Sequence, residues 1–314
     1  MSDDTGSGER LMQTGWVFAP EGPANVKAAI LCLAGGTYDK TYWHLEVDGY
    51  PGYSFAEHLV SRGYVVIALD HLGVGGSTDP ERSGRVDLAL LAKGDASAAK
   101  QVRDQLTQGT LTESLAPLPD IPLIGAGHSM GACLTIMVQA IARPYAALVL
   151  LGYGVDITNV HDRQPTDQEL DARVDETESI FRAATNTPEG AAATIAPREL
   201  LHALFHAPDV PADVIIADDK AQSRVPVRAA SQVTTAGFVR QYADIIDVPI
   251  MLGLGDSDVA PDPRAEPGNY PSCRDISLMV IEGSAHCHNF SSARALLWDR
   301  IGSWIPTVVG VQQS

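Results

Sequence analysis

Ser129 stands between two glycines in Gly127-His128-Ser129-Met130-Gly131, after the apolar run Pro122–Ile124 and before the helical pattern Gly131–Ala142. These residues fit G-x-S-x-G in the strand–turn–helix setting that gives the motif its meaning. A bend this tight leaves no room for neighbouring side chains, hence the glycines. A helix starting just past it aims free N–H groups and its positive end at the serine. That setting suits nucleophilic attack on a carbonyl, but a serine hydroxyl is a poor nucleophile at neutral pH and needs a base within reach. Two further turns carry the partners such chemistry requires. Gly283-Ser284-Ala285-His286 offers an imidazole to take and return the proton, and Gly255-Asp256-Ser257-Asp258 a carboxylate to orient it. Asp256 and Asp156 compete for the second role. Asp258 is expected to hold it, because it lies past the turn, free to project toward the histidine loop.

These side chains must be brought together by the elements between them. Near-continuous apolar runs at Ala28–Leu33, Tyr64–Leu69, Pro122–Ile124, Ala147–Leu151, Pro249–Leu254 and Ile276–Ile281 read as parallel strands buried on both faces. Helical patterns at Phe55–Arg62, Val86–Leu106, Gly131–Ala142 and Ser291–Trp304 alternate with them. The fold class is therefore α/β, a mostly parallel doubly wound sheet. The loops of such a sheet converge on one edge, so sequence distance does not keep Ser129, Asp258 and His286 apart.

The alternation lapses once. Between Val155 and Asp247 only helical patterns appear, at Asp167–Ala184, Arg198–His206 and Ala229–Ile246. That stretch is too long for a simple crossover and predicts an inserted helical cap. The expected organisation is a core from residues 1–154 and 248–314, with the cap at 155–247. Because the cap supplies none of the three reacting side chains, it is expected to govern selectivity rather than bond breaking.

Residues 28–154 and 248–304 resemble an α/β-hydrolase. Besides the serine turn, Asp70-His71-Leu72-Gly73-Val74-Gly75-Gly76-Ser77 resembles the family's D-x-x-G-x-G-x-S segment. The order Ser, Asp, His is also the family's order. The resemblance implies an oxyanion hole from the Met130 N–H and a donor in Ala34-Gly35-Gly36-Thr37-Tyr38, where Gly36 is expected and Thr37 is next in line. Ala34 departs from the family's usual histidine, a residue that supports this loop. Tyr38, Trp43, Tyr153 and Cys287 are candidate pocket walls. The implied activity is hydrolysis of a carboxylic ester or lactone. A thioesterase, acyltransferase or carbon–carbon bond hydrolase would use the same groups, and a ligand receptor with residual turnover is the rival from another class.

Composition narrows the partners. The 314 residues carry a formal net charge of −17 and are 45% apolar, which disfavours nucleic acid and anionic membrane as partners but identifies no ligand; the small-molecule ester or lactone substrate is what the resemblance implies. The acidic start MSDDTGSGER does not read as a signal peptide, and no apolar run reaches membrane-spanning length. Four cysteines without a C-x-x-C pair suggest neither zinc nor dithiol chemistry, and a cytoplasmic setting is expected. His202 and His206 lie i, i+4 on a helical pattern but lack the further ligands of a metal site. The glycines of residues 73–76 follow the hydrolase pattern, so no cofactor is expected. Oligomeric state is left open by the sequence.

Overall fold

The computed structural model describes residues 11–21, 26–80, 86–156 and 165–310. The strands are β1 (Gly15–Phe18), β2 (Ala28–Leu33), β3 (Tyr64–Leu69), β4 (Leu123–His128) and β5 (Ala147–Leu151). A two-residue ladder, β6 (Ala193–Thr194) with β7 (Val225–Pro226), precedes β8 (Ile250–Gly255) and β9 (Ile276–Ile281). Seven of them form one sheet in the order β1-β3-β2-β4-β5-β8-β9. Every pairing in it is parallel except β1 with β3. Leu33 lies opposite both Leu69 and Gly127, and His128 opposite Leu151, so these strands end level on one edge.

Alternation along each strand divides the core into two layers. Leu31 and Leu33 face α2 (Leu88–Gln108) and α3 (Met130–Ala142), whereas Ile30 and Cys32 face α1 (Phe55–Val60) and the C-terminal helix. Both layers are apolar because a parallel sheet under helices has no wet face. The ends of α2 follow from its residues: Asp87 caps it by accepting the Leu90 N–H at 2.8 Å, and Gly109 closes it at φ +69°.

The chain between β5 and β8 holds α4 (Leu170–Ala184), α5 (His202–Phe205), α6 (Ala212–Lys220), α7 (Val227–Val233) and α8 (Arg240–Ala243). Where one helix was expected over Ala229–Ile246 there are two, the first ending at Val233 and the second starting at Arg240, with Gly237 at φ +75° in the turn between them. The β6–β7 ladder and α6 were also not foreseen. The last helix, α9 (Arg294–Val309), continues through Pro306, beyond the expected Trp304. Strand β4 is longer than Pro122–Ile124 and reaches His128. Its Gly125, Ala126 and Gly127 read locally as turn residues, yet a Cβ on Gly125 would lie 2.7 Å from the Tyr145 ring. Small residues are what lets this strand run between tightly packed neighbours.

Beneath the sheet edge, Glu266 ties the end of β5 to the chain after β8. Its Oε1 accepts the Val155 N–H at 3.0 Å and its Oε2 an Asn269 side-chain N–H at 3.1 Å. Burial outweighs these bonds and pushes its carboxyl up to about 7 from an ordinary 4.5. Between those two values the native state holds the proton more tightly than the unfolded chain, so stability falls as pH rises from about 4.5 to 7. The loss amounts to about 3 kcal/mol. Chemical denaturation of Glu266→Gln at pH 5 and pH 8 is expected to show a flatter pH profile than wild type by roughly that amount.

Candidate active site

Strand β4 ends at His128, and Ser129 is the first residue past it, at φ 54° and ψ −119°. That conformation is strained for any residue with a Cβ and persists only where neighbours hold it. Here the Ser129 N–H donates to the Leu151 carbonyl at 2.8 Å, and the Ser129 carbonyl accepts the Ala132 N–H at 2.9 Å. Only glycine fits on either side. A Cβ on Gly127 would lie 2.3 Å from the Gly131 carbonyl oxygen, and one on Gly131 2.0 Å from that of Leu33. Met130 is the first residue of α3, so its N–H has no partner within the helix.

A second loop runs against the serine. A Cβ on Gly35 would stand 3.0 Å from both Ser129 Cβ and His128 Nδ1. Among the described residues, the N–H groups of Gly36 and Thr37 donate to no backbone carbonyl. Thr37 itself sits in left-handed backbone at φ 69°. The support expected of a histidine at position 34 arrives instead from His71, whose Nε2–H donates to the Ala34 carbonyl at 2.8 Å. Its Nδ1 lies 3.3 Å from Asp95 on α2. Burial alone would discharge this imidazole, but the Asp95 carboxylate and the Ala34 carbonyl together raise its pKa above the ordinary value.

Asp258 and His286 meet as spaced. Oδ1 of the fully buried carboxylate is 2.7 Å from His286 Nδ1, which leaves Nε2 as the basic nitrogen of the ring. Oδ1 also accepts the Val259 N–H at 2.7 Å, and Oδ2 accepts from the Gly255 N–H at 3.1 Å and His288 Nε2 at 2.8 Å. Burial pushes the carboxyl up, but the charge and hydrogen bonds of His286, then of His288, hold it well below the usual carboxylate range. Asp256 instead accepts the Gly283 N–H at 2.9 Å, and Asp156 pairs with Arg240. No hydrogen bond joins His286 to Ser129 among the described residues; the two are linked through His128, whose Nε2–H donates to the His286 carbonyl at 2.8 Å. Burial, then the charges of His286 and His288, drive His128 well below its ordinary pKa, so it is uncharged.

The chain between β5 and β8 contacts the histidine loop. The N–H groups of His286 and Cys287 each donate over 3.0 Å, to the Leu204 and Phe205 carbonyls of α5, and the Phe205 ring lies 5.6 Å from that of His286. Tyr38 reaches the same place: its hydroxyl donates to Asp218 at 3.1 Å and lies 3.2 Å from the Cys287 thiol. Trp43 and Tyr153 are buried too, Trp43 against Phe55 and Tyr153 beside Cys133. A cleft of about 1090 Å³ opens between residues 44–57 and α6 and contains none of Ser129, Asp258 or His286. His202 pairs with Asp219, and among the described residues no group of His, Cys, Asp and Glu is arranged to hold a metal.

His288, His71, Arg198 and Asp218 were not assigned site roles from the sequence. For His288 a signal existed: the H-x-H pair bridges one carboxylate, and a 3-10 turn, His288–Phe290, begins after His286 with Cys287 as its N-cap.

A family model described as "Alpha/beta hydrolase family" matches residues 30–299, and the chain belongs to that family. Among curated proteins none matches the sequence significantly. Solved structures share the fold at low identity. A thermophilic esterase from Thermogutta terrifontis is 16% identical, over 98% of this chain and 97% of its own, with a TM-score of 0.65. A soluble variant of monoglyceride lipase from Saccharomyces cerevisiae is 14% identical, over 95% of this chain and 92% of its own, at 0.66. The thioesterase domain from the curacin biosynthetic pathway is 16% identical, over 95% of this chain and 100% of its own, at 0.56.

The clash at Gly131 sets a test of the turn itself. Gly131→Ala places a methyl group against two backbone carbonyls, of Leu33 and Ala34, that cannot rotate away. The expected cost is about 4 kcal/mol or more, read as a large drop in thermal midpoint or failure to accumulate as folded protein.

Proposed function

We propose that this α/β-hydrolase is a serine esterase that cleaves a small carboxylic ester or lactone through an acyl-enzyme on Ser129. The observation that carries the reading is the 2.7 Å contact of Asp258 with His286, set one hydrogen bond away from a strained serine turn. Ser129 Oγ adds to the carbonyl carbon while its proton passes to His286 Nε2. The carbonyl oxygen, now negative, accepts the N–H groups of Met130 and Gly36, with Thr37 next in line. Collapse breaks the bond to the alcohol, which leaves with the proton from the imidazolium. A water then repeats the two steps on the acyl group and releases the acid. Catalytic hydrogen bonds tighten when substrate arrives, so a serine not yet bonded to its base is compatible with this sequence of steps.

Residues 155–247 are read as a cap over the site, a reading supported by the bonds from α5 to the histidine loop. Its apolar contribution at Phe205 favours an apolar acyl group. The same machinery serves thioesters, so the panel of substrates must include both.

Ser129→Ala is expected to lower ester turnover by about 10³–10⁶-fold and to abolish labelling by a fluorophosphonate, with the thermal midpoint retained. Labelling that survives, or that maps to Cys287, refutes the serine mechanism. Asp258→Asn turns a donor toward one of the two histidines and is expected to cut turnover by about 10⁴-fold, with Asp256→Asn and Asp156→Asn costing far less. Steady-state kinetics on purified variants ranks the three acids.

A further inference from the structure

Among the contacts the insertion makes with the oxyanion loop is a buried arginine. Arg198, 4% exposed, donates from Nη1 to Thr37 Oγ1 at 2.7 Å and from Nη2 to the Thr37 carbonyl at 3.4 Å. Its guanidinium lies 4.2 Å above the Tyr38 ring and 5.1 Å from that of Phe205. Asp218 on α6 completes the arrangement: its Oδ1 is 3.7 Å from Arg198 Nη2, and its Oδ2 accepts the Tyr38 hydroxyl. His206 Nε2 stands 3.0 Å from the same Oδ2 but at an angle unsuited to a hydrogen bond. From the other side, the Ser223 N–H donates to the Thr37 carbonyl at 2.8 Å, and Val225 packs toward Gly36.

A buried ion pair adds little stability over an apolar pair of the same volume, so burial alone does not explain why an arginine is here. Its hydrogen bonds do. Both go to Thr37, the residue of this loop with positive φ, which neighbours the expected oxyanion donor. A threonine left free would relax out of that backbone region and rotate the adjoining peptides. We propose that Arg198 is a positioning residue: it pins Thr37 so that the N–H groups of Gly36 and Thr37 face the oxyanion. The oxyanion hole is then complete only with the insertion docked, and the insertion acts on bond breaking, contrary to the expectation that it governs selectivity alone. This inference rests on the serine-esterase reading above.

Two changes on the full chain test it. Thr37→Val removes the Oγ1 acceptor while keeping shape and charge. Arg198→Met combined with Asp218→Asn removes the guanidinium without stranding a buried carboxylate. The readouts are kcat and KM on a short p-nitrophenyl ester, and the affinity of a trifluoromethyl ketone, whose adduct with serine carries the oxyanion. Each change is expected to lower kcat by about 10–100-fold and to weaken the ketone by the same factor, with KM within about twofold. Combining them should cost little more than the larger alone, because both act through one contact. Unchanged kcat, a loss confined to KM or to the thermal midpoint, or fully additive losses would overturn the proposal. If the double variant does not fold, Thr37→Val decides alone. A wild type that is active and dependent on Ser129, with kcat intact in the variants, defeats the clamp but not the esterase; a wild type that neither turns over esters nor binds the ketone defeats both.

Discussion

The site depends on how closely helix α3 approaches the end of strand β2. Where Gly131 has only hydrogen, the Leu33 carbonyl passes at a distance no methyl group could tolerate. This contact sets how closely the Ala34–Tyr38 loop approaches the serine turn. The strain at Ser129 is tolerable because the level ends of β4 and β5 hand it the Leu151 carbonyl. Close packing thus performs the positioning that a longer, freer loop could not.

Much of this was legible in the residues, because parallel strands buried on both faces leave unbroken apolar runs. Ala28–Leu33, Tyr64–Leu69, Ala147–Leu151 and Ile276–Ile281 are strands with the expected bounds. β1 escaped because Gly15–Phe18 is short, half-exposed and antiparallel at an edge, with too little pattern to separate from a loop. Inside the insertion, periodicity ran on past Gly237 because an apolar count does not register a backbone reversal. Contacts across the chain were the least legible. A lone arginine at 198 reads as a solvated helix face until the fold brings it to Thr37, 161 residues away. The role of His71 was hidden likewise, since a histidine following an aspartate says nothing of a carbonyl just past another strand.

The chain is strongly acidic, yet the carboxylates around its site are not left to repel one another. Asp258 receives two histidines and two backbone N–H groups. Asp70 receives the Lys40 ammonium at 2.6 Å together with the Lys40 and Gly76 backbone N–H groups, both at 2.9 Å. Asp95 faces His71, and Asp218 faces Arg198. Each of these four buried charges is matched locally, as burial demands. The surplus of negative charge belongs to the surface, where solvent screens it.

The α5 carbonyls that receive the His286 and Cys287 N–H groups bear on how such a chain can be re-engineered. Segments placed between two strands of a common core invite exchange, one relative's insertion for another's. Here a transplant would have to bring backbone acceptors at the heights of Leu204 and Phe205, or leave the histidine turn with unmet donors. Its length and helicity are secondary to those two carbonyls, and a chimaera chosen on sequence similarity alone would overlook them.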